Sequence, residues 1–317
     1  MTADPTHQVA LIGLGVIGIS MAALHLRKPT TTVHFFDIRP DIEEHIVNHL
    51  PAYLDPVNPG TSVTSLIASG RIEIHTSLET ACSEATIVQE QGPENISFKR
   101  SIWAQIEKAA PVHAHFWSST SGILASEQTA DMEDKSRLLV VHPFNPPHIM
   151  PLLEIVPGPS TKAAEVEFAC NYFQQASPRH RPVVIKKEIT GFVGNRLAFA
   201  VLREACFLVK QNVVSVEGLD QVMKSSLGPR WALNGVFESY TAGGGPGGFR
   251  GFLDKLESTI QDVWDDLGVL SVRGSGSEWK ESVSTQAEQA YGQSTTVEQS
   301  KVKEGKLRDL LKLQFSA

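Results

Sequence analysis

Cysteine is scarce in this chain of 317 residues: Cys82, Cys170 and Cys206 stand far apart, each in an apolar or helical context. They form no CxxC pair and no disulfide framework, so a reducing, cytoplasmic compartment is expected. A basic excess is also missing. The 28 Lys and Arg face 35 Asp and Glu, a formal charge of −7, which argues against the concentrated basic face that a nucleic-acid partner needs. No apolar run approaches the ~20 residues that span a bilayer. Met1-Thr2-Ala3-Asp4-Pro5 starts without a basic stretch leading into an apolar one, so no secretory signal and no membrane partner is expected. No metal ligand set is expected either. What is present is a globular composition, 41 % hydrophobic and 20 % charged, at a length suited to two domains.

Val9-Ala10-Leu11-Ile12 is a short apolar run, as for a strand buried on both faces. It leads into Gly13-Leu14-Gly15-Val16-Ile17-Gly18, then a helical stretch from Ile19 to Leu26, then a second β-branched run, Thr31 to Phe36, ending at Asp37. Gly13 permits the tight turn, Gly15 lets the backbone approach a pyrophosphate, and Gly18 lets helix and strand pack closely. The start of the helix, at Val16 and Ile17, supplies unpaired N–H groups and a partial positive charge for phosphates. The hexapeptide alone is weak, but strand, glycine turn, helix and an acidic residue about twenty positions on make a dinucleotide site. Asp37 should accept hydrogen bonds from the adenine ribose and repel a 2′-phosphate, favouring NAD over NADP. Arg39, two residues later, could instead pair with such a phosphate.

Residues 41–69 read as helical around the turn-rich Asp55-Pro56-Val57-Asn58-Pro59-Gly60, and 95–110 as another helix. Short apolar runs recur at Ile72–His75, Ile87–Val88, His115–Trp117, Leu138–Val141 and Leu152–Val156. This alternation predicts an α/β fold with a mostly parallel sheet, whose ligands bind beyond the carboxyl ends of the strands. Chemistry is therefore expected just after the runs. His142 follows Leu139-Val140-Val141; its imidazole suits a base that takes a hydroxyl proton while hydride leaves the carbon. Glu154 sits twelve positions later inside Leu152-Leu153-Glu154-Ile155-Val156, where a carboxylate is costly unless paired. A strand–loop–strand path brings it back beside His142, to orient the ring and stabilise the imidazolium. Ser118-Ser119-Thr120-Ser121 offers hydroxyls that cap the next segment or bind a substrate oxygen.

These residues resemble the 3-hydroxyacyl-CoA dehydrogenase superfamily. The resemblance rests on six blocks in order: Gly13-x-Gly15-x-x-Gly18, Gln89-Glu90-x-x-Pro93-Glu94-Asn95, Ser118-Ser119-Thr120-Ser121, His142-Pro143-Phe144-Asn145-Pro146-Pro147, Leu153-Glu154-Ile155-Val156 and Gly191-Phe192-Val193-Gly194-Asn195-Arg196. It implies a Rossmann-type NAD-binding domain over 1–188, then an all-α domain over 189–317 that binds substrate and forms a homodimer. It also implies His142 as base, Glu154 as its partner, and Ser121 and Asn195 as hydrogen-bond donors around the substrate oxygen. Glu90, Lys99 and Ser119 would line the cofactor. Within the superfamily, Pro146-Pro147 and Gly228-Pro229-Arg230-Trp231-Ala232 resemble the lambda-crystallin branch, which includes L-gulonate 3-dehydrogenase and has L-carnitine dehydrogenase as a relative. The polar tail lacks the Gly-Phe-Tyr ending of fatty-acid enzymes, which implies a small hydroxy acid rather than an acyl-CoA. The remaining alternatives are a short-chain hydroxyacyl-CoA enzyme, a carnitine enzyme and an NAD-binding structural protein of crystallin type.

From Gly191 onward the strand pattern stops, and Leu197 to Val209 repeat at helical spacing. Gly243–Gly248 reads as a loop or hinge, and 272–300 as a polar linker plus surface helix. Arg230 either grips a substrate carboxylate or pairs with an acidic neighbour. Trp231, with Tyr240, could contribute to a cage for a quaternary ammonium.

Overall fold

Runs of buried β-branched and leucine residues, punctuated by helices, build the first part of the chain. In order these are β1 (His7–Ile12), α1 (Val16–His25), β2 (Thr31–Phe36), α2 (Ile42–Leu54), α3 (Val63–Ala68), β3 (Ile72–Ile74), α4 (Leu78–Cys82) and β4 (Ile87–Glu90). They continue as α5 (Ile96–Ala109), β5 (His115–Ser118), α6 (Ala125–Gln128), β6 (Leu138–Pro143), β7 (Leu152–Pro157), α7 (Ala163–Ala176) and β8 (Arg181–Val184). The computed structural model describes residues 6–54, 60–177, 179–294 and 296–315; the expected turn at Asp55–Pro59 and the start at Met1–Pro5 lie outside them.

The eight strands form one sheet in the order β3-β2-β1-β4-β5-β6-β7-β8. Every neighbouring pair is parallel except β6 with β7. Strand alternation sends Val9 and Leu11 into one core with Ile19 of α1 and Phe173 of α7, and Ala10 and Ile12 into the other with Trp103 and Ile106 of α5. Both faces are covered, which is why these strands read as unbroken apolar runs. The strand order reverses between β1 and β4, and such a switch point opens a crevice at the carboxyl ends of the strands.

Gly18 holds α1 against the β1 turn. A Cβ there would overlap the carbonyl oxygen of Gly13, whose own φ of 95° favours glycine. Gly18→Ala must push the helix away from the turn, and calorimetry is expected to show NAD affinity at least about tenfold weaker. Unchanged affinity would mean that this close approach does not shape the binding turn.

The chain divides into Met1–Arg196 and Leu197–Ala317. The break comes after the expected 188 because Val193 and Gly194 hydrogen-bond to Glu154 of the sheet, and Asn195 to Ser121. The second unit is helical: α8 (Gly194–Lys210) runs into it, followed by α9 (Val216–Val222), a π turn (Met223–Leu227), α10 (Gly228–Leu233), α11 (Val236–Gly243) and α12 (Gly248–Asp266). Between α11 and α12 the glycine run makes a 3-10 turn at Gly245–Gly247. In the polar segment α13 (Trp279–Tyr291) is a surface helix with no buried residue, tied to α9 by Tyr291 donating to Asp220 Oδ2 at 2.7 Å; α14 (Val297–Phe315) follows. Among the described residues no helix is long and apolar enough to cross a membrane.

Candidate active site

Cross-strand register decides the centre of the site. In the antiparallel β6–β7 pair, His142 lies opposite Glu154, and His142 Nδ1 is 2.7 Å from Glu154 Oε2. Both side chains are nearly enclosed. The other carboxylate oxygen, Oε1, accepts from the N–H groups of Val193 at 3.0 Å and Gly194 at 2.9 Å. Burial alone would raise the Glu154 pKa. The hydrogen bonds from His142, Gly194 and Val193 outweigh it and hold the carboxyl below its ordinary value. An ionised carboxylate only accepts, so Nδ1 carries the ring proton and Nε2 presents a lone pair. That is the tautomer a base needs.

The Gly191–Asn195 segment is built for this purpose. Gly191 (φ 75°) and Phe192 (φ 50°) take consecutive left-handed conformations, which turns the next two N–H groups onto Glu154. Left-handed backbone at a phenylalanine costs about 1–3 kcal/mol, offset here by complete burial of its ring beside His142, 5.4 Å between centroids. Phe144 closes the other flank at 4.8 Å. A Cβ on Gly194 would overlap the Phe144 ring, so α8 starts this close to the base only because that residue is glycine.

Asn195, in the first turn of α8, donates through Nδ2 to the Ser121 carbonyl at 2.8 Å. Its second amide hydrogen is available to a substrate oxygen. Ser121 Oγ donates to Glu94 Oε1 at 2.8 Å, and Thr120 Oγ1 donates to Glu94 Oε2 at 2.6 Å. With its proton engaged on Glu94, the Ser121 hydroxyl does not donate to a substrate oxygen in this arrangement, unlike the donor role the family resemblance implied. Burial works against the Glu94 carboxylate, but the bonds from Thr120 and Ser121 hold its pKa below the ordinary value. Glu94 was visible in the sequence only as a block member without a role. Its contacts span 26 and 27 positions, beyond any local pattern.

Glu90 and Lys99 form a fully enclosed ion pair, with Lys99 Nζ 2.8 Å from both carboxylate oxygens and 3.3 Å from the Gly92 carbonyl. Neither presents a polar atom to a ligand; together they fix the loop after β4, where Gly92 N–H donates to Glu90 Oε1. Ser119 is held in the same loop cluster, its N–H donating to the Glu90 carbonyl and its hydroxyl accepting from Gln89 Nε2 at 2.8 Å. His25 continues that chain, 2.7 Å from Gln89 Oε1 and 2.7 Å from the Tyr172 hydroxyl, and complete burial pushes its pKa down to about 4.

The residues beyond β1 and β2 fit a dinucleotide. A Cβ on Gly15 would meet nothing within 4 Å, so open space lies over the start of α1, where Val16 and Ile17 begin the helix without a side-chain cap or an acidic first-turn residue. Asp37 is oriented by the N–H groups of Leu14 at 2.6 Å and Arg39 at 3.0 Å, and each oxygen keeps capacity for a ribose hydroxyl. Arg39 Nε lies 3.7 Å from Asp37 Oδ1. In the second unit, Arg230 on α10 is exposed and Trp231 half-buried.

Family comparison agrees with this geometry. Residues 8–189 match the 3-hydroxyacyl-CoA dehydrogenase NAD binding domain, and 191–267 match the C-terminal domain of the same family. The chain belongs to the 3-hydroxyacyl-CoA dehydrogenase family. It is an NAD-dependent dehydrogenase acting on a 3-hydroxy group. A 3-hydroxyacyl-CoA dehydrogenase of Gibberella moniliformis is 35 % identical over 82 % of this dehydrogenase and 80 % of its own length. An L-carnitine dehydrogenase of Mesorhizobium japonicum is also 35 % identical, over 90 % of this chain and 78 % of its own. Among solved structures, the NAD+-dependent dismutase 5-formyl-3-hydroxy-2-methylpyridine 4-carboxylic acid 5-dehydrogenase superposes with a TM-score of 0.80 at 26 % identity, covering 98 % of each chain.

Proposed function

We propose that this dehydrogenase oxidises the 3-hydroxyl of a small, free L-3-hydroxy acid to the 3-keto acid, with His142 as general base. The carrying observation is the His142–Glu154 pair, whose fixed tautomer leaves Nε2 to take the hydroxyl proton. Bound NAD supplies the hydride acceptor. Asn195 donates to the substrate oxygen, first as hydroxyl and then as the carbonyl that forms.

A free acid is favoured over a CoA thioester by two further points. Arg230 forms no ion pair among the described residues, which leaves its planar guanidinium for a carboxylate. The L-carnitine dehydrogenases and the pyridine-carboxylate enzyme bear names of free acids, beside the Gibberella moniliformis relative named for a thioester. L-gulonate is the substrate suggested by the Pro146-Pro147 and Gly228–Ala232 blocks, and L-carnitine the one suggested by the relatives. Trp231 favours carnitine if its indole faces a trimethylammonium.

NADH formation with L-gulonate, L-carnitine, L-3-hydroxybutyrate and 3-hydroxybutyryl-CoA tests the reading. A free acid is expected to give the highest kcat/KM. Turnover of the thioester alone would overturn the proposal. We further propose a homodimer in a reducing, cytoplasmic setting: Phe199 and Leu202, neighbours three positions apart on α8, are 59 % and 55 % exposed, apolar surface suited to a second copy.

A further inference from the structure

β3 is the edge strand of the sheet, and its pairing with β2 sets His34 opposite Glu73. His75 lies two residues after Glu73, so by the two-residue strand period it falls on the same face. One ligand atom from each of His34, Glu73 and His75 lies within 4.8 Å of the others. His34 is buried at 4 % exposure, and its Nδ1 is enclosed with no hydrogen-bond partner. His75 Nε2 is likewise enclosed and unpartnered, 3.6 Å from Glu73 Oε2. Two enclosed imidazole nitrogens without hydrogen-bond partners in one cluster call for a physical explanation.

We propose that His34, Glu73 and His75 bind a divalent transition-metal ion of the zinc class, pinning the edge strand β3 to β2. Neutral imidazoles and a carboxylate are the donor set that such an ion takes. The two rings sit 5.0 Å apart. Two imidazoles on one tetrahedral zinc, at about 2.0–2.1 Å from the ion, have centres about 5 Å apart, so this separation suits a shared ion once the rings, now 20° from parallel, turn their nitrogens toward it. Tetrahedral ligand atoms lie about 3.4 Å from one another, and the half-exposed Glu73 already has Oε2 3.6 Å from His75 Nε2. Solvent can supply a fourth ligand beside it. Glu84 adds a second nearby carboxylate that acts on His34 electrostatically.

Zinc titration of the metal-stripped full chain, by calorimetry and by competition with a chromogenic chelator, tests the site. The wild type is expected to bind one equivalent with micromolar or tighter affinity and to gain in Tm. His75→Ala should abolish both effects, and Glu73→Gln should weaken binding at least about tenfold. His34→Gln alters a buried ring and can fail to fold, so the two edge-strand variants carry the test. His49→Ala controls for the other close histidine pair, His45 and His49, on α2. Absence of stoichiometric binding, or a full equivalent retained by His75→Ala, would overturn the proposal. NAD binding and turnover by the metal-free protein are expected to be the same in wild type and His75→Ala, so the result does not depend on the substrate.

Discussion

Replacing His142 with Ala should lower kcat by about 10²–10⁴ while leaving NAD affinity unchanged, since general-base catalysis contributes that much and the ring lies outside the dinucleotide turn. The informative companion is Glu154→Gln. Its amide oxygen would remain on the Val193 and Gly194 N–H groups, which forces its NH2 toward His142 Nδ1. The ring must then accept at Nδ1 and carry its proton on Nε2, the wrong tautomer for a base. Glu154→Gln is therefore expected to approach the His142→Ala loss with the fold intact. Steady-state kinetics with calorimetric NAD binding would check both. If Glu154→Gln kept more than about a tenth of wild-type kcat, the tautomer argument would fail even with His142 essential.

The charge on Glu154 also has a sign for stability. Its folded pKa is depressed, so its ionised hydrogen bonds contribute fully above the ordinary glutamate value and are lost as pH falls through the lower, folded one. The pair is thus intact across neutral and mildly acid pH.

The parts that were legible from the sequence are those whose signal is local. The β1–α1–β2 unit was readable because parallel strands buried on both faces leave continuous apolar runs, and because the turn needs its glycines. His142 and Glu154 were readable as a pair because a carboxylate inside an apolar run requires a partner. β8 was not read: its four residues, Arg181-Pro182-Val183-Val184, are mostly exposed at the sheet edge, so no buried run marks it. The enclosure of Glu90 and Lys99 was equally hidden. Glu90 closes β4 and Lys99 sits in the first turn of α5, and only the loop between them turns one onto the other. The Gly191–Asn195 geometry was visible as a motif, but the left-handed Phe192 that aims two N–H groups at Glu154 has no sequence signature of its own.

That hidden pair makes the sharpest stability prediction. Lys99→Met removes the cation and leaves Glu90 buried without its counter-charge, expected to cost about 3–5 kcal/mol in denaturant unfolding. Burial already pushes the Glu90 pKa up against the pull of Lys99 and the Gly92 N–H. Between the ordinary carboxylate value and this raised one, the native state holds a proton that the unfolded state has released, so stability falls as pH rises. Removing Lys99 takes away the strongest opposing pull and extends that window upward. The single variant should regain stability as the pH is lowered from neutral toward the ordinary glutamate value, because Glu90 takes up its proton above that value. Glu90→Gln combined with Lys99→Met removes the buried charge and should recover most of the loss at neutral pH. A Lys99→Met protein as stable as wild type and flat with pH would show that the pair is not what fixes this loop. The effect should reach the site as well. Glu94, which holds Ser121, stands only four residues after Glu90, and Ser119 donates directly to the Glu90 carbonyl.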